Sequence, residues 1–142
     1  MNTAKKILPF CVLLAITAFF FRNYLVKGFI PFPGDLLLSE YQPFRSYSYH
    51  GYAAGAIPNK AQYFDVIREF YPWRTQVIRQ LQQGTLPFWN PYNASGTPLL
   101  ANFQSAVFYP FNLLFLLVDS PNAWAILVMM QPLLASLFTY LY

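Results

Sequence analysis

Apolar positions in this chain fall into three runs, separated by one long, broken and more polar stretch. Residues 7–21 are apolar throughout except for Thr17, and Tyr24, Leu25 and Val26 extend the run. Its length of about 20 residues is what a helix needs to cross the hydrocarbon core. Lys5 and Lys6 precede it, and Arg22 stands near its far end, placed to snorkel into headgroups. A cleaved signal peptide shares the basic start and apolar middle, but no small-x-small cleavage site follows. A first transmembrane helix over residues 1–26, with a cytoplasmic N-terminus, is therefore the expectation. Apolar character returns over 104–118, interrupted by Pro110 and Asn112, and again over 123–142 after a turn at Asp119, Ser120, Pro121 and Asn122. These runs are read as a second and a third span.

Residues 27–103 are too polar and too broken to span, so they form a large extracytoplasmic loop. Its clearest element is a helix over 72–83. Proline suits the first turn and Gly84 suits the stop. Trp73, Val77, Ile78 and Leu81 make one apolar stripe, with Arg74, Gln76, Arg79, Gln80 and Gln83 over the rest. Such a helix fits a place flat on a membrane or on a helix bundle. Behind it, "GTLPFWNPYNASGTPLL" packs prolines and aromatics into an uncharged window with neither helical nor strand period. This reads as a rigid shelf whose irregular backbone needs shelter near a membrane.

Composition supports the membrane assignment. The chain is 56% hydrophobic, 20% aromatic and only 10% charged, against about 25% charged in soluble domains. The net charge of +4 is spread without a basic run, so nucleic acid is not indicated as a partner. Seven of the nine Lys and Arg lie between Arg22 and Arg79. An outside loop tolerates this, because the positive-inside rule weakens for loops beyond roughly 60 residues. The single cysteine, Cys11, precludes an internal disulfide, and lone His50 gives no metal cluster. The chain ends in an apolar run at Tyr142, which leads to the expectation of the N-terminal piece of a longer multi-pass protein or of a truncated reading frame.

Two acidic positions sit in similar settings. Asp35 is followed by Pro43-Phe44-Arg45, and Asp65 by Pro72-Trp73-Arg74. Each puts a carboxylate and a guanidinium in one local unit. Asp35 lies behind the stiff Pro31-Phe32-Pro33-Gly34 turn, where desolvation near a membrane favours general-base chemistry. The plainer readings are a turn cap for Asp35 and an i,i+3 pair with Arg68 for Asp65. Arg45, Arg68, Arg74 and Arg79 suit phosphate through their bidentate forks, or equally a solvated surface at lipid headgroups. Asn93-Ala94-Ser95 matches a glycosylation acceptor, a short pattern common by chance. No phosphate-cradling loop or nucleophile elbow occurs.

The stretches "GDLLLSEYQPF", "DVIREFYPWR" and "LQQGTLPFWNPYNASGTPLLANFQSAVFYPFNLLF" together resemble the start of the bacterial YfhO-type membrane protein family, which is grouped with GT-C-type glycosyltransferases. The resemblance covers nearly all the chain from Pro31 onward. It implies an all-α integral membrane fold of multi-pass helices, three of them here, forming the N-terminal part of a GT-C-like bundle in the bacterial cytoplasmic membrane. The implied activity is inverting transfer of sugar from a polyprenyl-phosphate carrier to an extracytoplasmic acceptor. A non-catalytic lipid-binding, transport or structural membrane protein is the alternative. The family's loop carboxylate matches Asp65 by its distance to the helix, with Asp35 the other candidate. Arg68, Arg74, Trp89, Asn90 and Gln104 are the implied substrate contacts. A divalent metal is possible in such a site, but no metal ligand is assigned. Membrane lipid and the lipid-linked sugar donor are the implied partners.

Overall fold

A computed structural model describes residues 3–49 and 51–142; His50, read above as a lone histidine, lies outside them. The structure is mostly helical and divides into two compact units, residues 1–31 with 111–142, and residues 32–110.

In the first unit, α1 (Thr3–Phe20) carries the first apolar run and passes almost without a break into α2 (Arg22–Lys27). The Phe21 amide still donates to Thr17 O at 3.0 Å. Gly28 ends α2 because its φ of +70° lies in the left-handed region, which glycine enters without a side-chain clash.

The region 104–118 contains no long helix. A short 3-10 segment at Phe103–Ser105 turns at Ala106 (φ +52°), and a second, Pro110–Leu113, runs into α5 (Leu114–Leu117). At about 1.5–2 Å rise per residue this last pair reaches only about half the bilayer core. Pro110, with no N–H to donate, and the left-handed turn at Ala106 prevent a longer helix here.

The final apolar run is α6 (Ser120–Leu141), which is 22 residues long with mean hydropathy 1.6. It is long and apolar enough to cross a membrane, and it is the one such helix among the described residues. The residues expected to turn before it form its first turn instead. Asp119 is the N-cap, accepting from the Asn122 amide at 3.3 Å, and Pro121 sits where a helix has no donor to lose.

Three contacts fix the direction of α6 against α1 and α2. The rings of Phe10 and Tyr140 meet edge to face, 5.7 Å between centroids. The Tyr24 hydroxyl donates to Asn122 Oδ1 at 2.8 Å, and the Trp124 indole donates to Pro31 O at 3.1 Å. Low numbers pair with high ones, so the two helices run antiparallel as a hairpin.

The second unit is built on α3 (Leu37–Glu40) and α4 (Tyr71–Gln82), the latter preceded by a π-turn at Val66–Phe70. Its core includes Leu36, Leu38, Val77, Ile78 and Leu99, all buried. Val77 and Ile78 belong to the apolar stripe of α4, whose charged and amide side chains cover the other face. Beyond Gly84 the proline-rich window forms a small hairpin, β1 (Trp89–Asn90) against β2 (Thr97–Pro98), antiparallel with Trp89 opposite Pro98 and Asn90 opposite Thr97.

Candidate functional site

Asp35 stands in a 3-10 turn, Gly34–Leu36, that leads directly into α3. The turn forms because Leu36 N–H reaches Pro33 O at 3.1 Å, while Leu36 and Leu38 anchor the segment in the core. The neighbouring Phe32 ring packs edge-on against Tyr71 at the start of α4, 5.0 Å between centroids.

Two ion pairs hold this acidic segment. Lys60 Nζ donates to Asp35 Oδ2 at 2.7 Å, and Arg68 Nη2 donates to Glu40 Oε2 at 2.8 Å. They differ in shelter. The Asp35 side chain is 13% exposed, against 39% for Glu40. The second oxygen of Asp35, Oδ1, is shut off from solvent and takes no hydrogen bond among the described residues. The carboxylate beside Lys60 holds its ammonium above the ordinary lysine range. The Tyr41 hydroxyl and the Glu40 carboxylate likewise raise Arg68, which also lies over the Phe64 ring at 4.7 Å.

Asp65 is exposed and makes no ion pair among the described residues. Arg68 turns to Glu40 rather than to Asp65. The π-turn has more residues per turn than an α-helix, so an i,i+3 pair no longer stacks along one face. Arg74 is half-buried in α4, and that burial pulls its guanidinium below the usual arginine range while nearby Tyr109 opposes the shift.

The hairpin residues sit differently. Trp89 is half exposed, and its backbone oxygen accepts from Gln80 Nε2 of α4 at 2.8 Å. Asn90 is buried and turns its amide into its own loop: Oδ1 accepts from the Tyr92 amide at 3.0 Å and Nδ2 donates to Asn93 Oδ1 at 3.2 Å. Gln104 is exposed on the turn at Phe103–Ser105, where its backbone N–H donates to Asn102 Oδ1 at 3.0 Å.

The structure thus ties Asp35 to Lys60 and Arg68 to Glu40 through one short acidic segment, and ties Trp89 to α4. Glu40, Tyr41 and Lys60 were not among the residues singled out from sequence. Lys60 lies 25 positions from Asp35, and no local spacing signals a pair at that range. No group of three or more His, Cys, Asp or Glu is gathered among the described residues. The side chains described around Asp35 do not make a donor set for a divalent metal. Comparison with protein families, with curated proteins and with solved structures finds no match to this chain.

Proposed function

We propose that this chain belongs to a membrane glycosyltransferase-like protein that moves sugar from a polyprenyl-phosphate carrier to an acceptor outside the cytoplasm. The resemblance of its loop to the YfhO-type family supports this reading, as does α6, which is long and apolar enough to cross a membrane. In this reading α1 with α2 forms a second span beside α6 and the N-terminus is cytoplasmic. The second unit then lies outside as the first loop of a multi-pass bundle.

The observation that carries the chemistry is the sheltered carboxylate of Asp35, with one oxygen held by Lys60 and the other without a hydrogen bond among the described residues. Of the two candidate carboxylates, Asp35 rather than exposed Asp65 is then the base. Lys60 fixes Oδ2, and Oδ1 takes the acceptor's hydroxyl proton as the acceptor's oxygen attacks the anomeric carbon. The bond from the anomeric carbon to the carrier phosphate breaks, and the phosphate leaves with the bonding electrons. An arginine of the unit steadies its charge. Because Oδ1 is covered in this state, the acceptor has to displace a neighbour to reach it.

A second reading, a non-catalytic membrane protein, is favoured by the same pair, since Lys60 neutralises Asp35 and shelter makes the pair a structural tie. The two separate in membranes from cells making the protein from its own gene, supplied with labelled polyprenyl-phosphate sugar. Transfer of label above the level in gene-deleted membranes is expected. Equal transfer in both would leave only the second reading.

A further inference from the structure

Every charged residue of the second unit lies between Asp35 and Arg79, and none occurs from Gln80 to the unit's end at Pro110. The charge-free part nevertheless exposes large apolar side chains. Phe103 is 96% and Phe108 80% exposed, joined by Leu86, Phe88 and Tyr92. Single exposed apolar residues are ordinary. A stretch that combines several of them with no charge at all marks a surface made to be covered.

This stretch is held together as one body. Leu99 N–H donates to Phe88 O at 2.8 Å, and Ser105 Oγ donates to Leu99 O at 2.9 Å. The hairpin is thereby tied to the turn that carries Phe103, while Gln80 ties it to α4. Ser105 is fully buried beneath the turn, so the exposure of Phe103 belongs to a fixed backbone.

Aromatic side chains mixed with Asn, Gln and Tyr, and free of charge, match the headgroup boundary of a bilayer, where rings are buried and polar tips stay wet. The same chain carries α6, long and apolar enough to cross a membrane. That tether keeps a lipid surface at high local concentration, so even weak insertion is populated. We propose that the charge-free segment 86–108 docks into the headgroup region of the bilayer through its exposed rings, with Phe103 and Phe108 inserted. The inference rests on the membrane anchoring of α6 and holds whether or not the unit carries transfer chemistry. Without basic residues on this face, docking does not depend on anionic lipid.

The test uses the full chain in phosphatidylcholine vesicles, with Cys11→Ser and single cysteines at Phe103→Cys, Phe108→Cys or Gln62→Cys, the last on the charged part of the unit. Each is labelled with an environment-sensitive fluorophore and challenged with lipids brominated near the headgroup or with aqueous iodide. Bromolipid is expected to quench the labels at 103 and 108 about twofold or more, because interfacial side chains reach about 5–10 Å into the boundary. Iodide is expected to quench the label at 62 instead. The same pattern is expected when phosphatidylglycerol replaces part of the phosphatidylcholine. Labels at 103 and 108 as open to iodide as at 62 would overturn the proposal. So would labels that are dry yet unquenched by bromolipid, which would mean that protein covers the face. Quenching that requires anionic lipid would overturn the charge-free docking.

Discussion

Tyr24 gives its hydroxyl hydrogen to Asn122 Oδ1 at 2.8 Å, bridging 98 positions of chain, while Asn122 Nδ2 donates to Asp119 Oδ1 at the same distance. One side chain thus locks the hairpin and supports the cap of α6. Asn122→Leu removes both bonds at once and is expected to loosen the hairpin, whereas Tyr24→Phe removes only the first. Crosslinking between cysteines at positions 10 and 140, with Cys11 replaced, reads the effect. It should be efficient in the parent, where the two rings touch, and clearly slower in Asn122→Leu. Equal rates would contradict the role given to Asn122.

The same cap has a pH signature. Hydrogen bonds from the Asn122 side chain and backbone hold the Asp119 carboxyl below its ordinary value. A depressed carboxyl contributes stability above its unfolded pKa of about 3.9 and loses it as pH falls through the folded value. The separation of spin labels at positions 10 and 140 should therefore hold steady from neutral pH down to that range and widen below it. Asp119→Asn should flatten this acid limb.

Gly96 lies under the Trp89 indole with φ +115°, a region closed to L side chains. A methyl group at 96 would stand 2.7 Å from Trp89 Cε2 and Nε1, and closer to Cζ2. Gly96→Ala is expected to destabilise the second unit by about 1–3 kcal/mol through overpacking and backbone strain. Adding Trp89→Ala removes the clash but not the strain, so it should recover only part of the loss. Protease resistance of the hairpin, followed across the double-mutant cycle, measures both parts.

The two partners of the Lys60–Asp35 pair do not weigh equally. Lys60 is 44% exposed and Asp35 13%. Exposed pairs add at most about 1 kcal/mol, but a sheltered carboxylate left without its cation costs about 1–3 kcal/mol. Lys60→Met should therefore destabilise the unit more than Asp35→Asn does, as read by denaturation of the vesicle-bound protein. Since the folded lysine pKa is raised, the pair stabilises fully below the unfolded value of about 10.4 and loses its contribution as pH rises through the higher folded value.

Helices that bury or expose one continuous face were readable from the chain. The stripe of Trp73, Val77, Ile78 and Leu81 marks α4, which the structure starts one residue earlier, at Tyr71. The last apolar run marks α6, although its first turn, capped by Asp119, looks like a loop when Pro121 is taken as a breaker. Apolarity alone made 104–118 resemble a span, but apolar count carries no information about Pro110 or the left-handed turn at Ala106. The hairpin escaped because two-residue strands have no period to detect. Asp35 was visible as a candidate from its place behind a stiff turn. Its partner was not, because tertiary packing alone brings Lys60 to it. The same limit hid Glu40, which takes the arginine that local spacing offered to Asp65.

The central claim is that Asp35 takes the acceptor's proton. It is tested most directly by the rate of sugar transfer from labelled polyprenyl-phosphate sugar in membranes carrying Asp35→Asn or Asp65→Asn at equal protein level. A positioned general base contributes about 100-fold or more, so Asp35→Asn should lose at least that factor while Asp65→Asn keeps nearly the parent rate. A parent rate in Asp35→Asn, with the protein folded and present, would contradict the account.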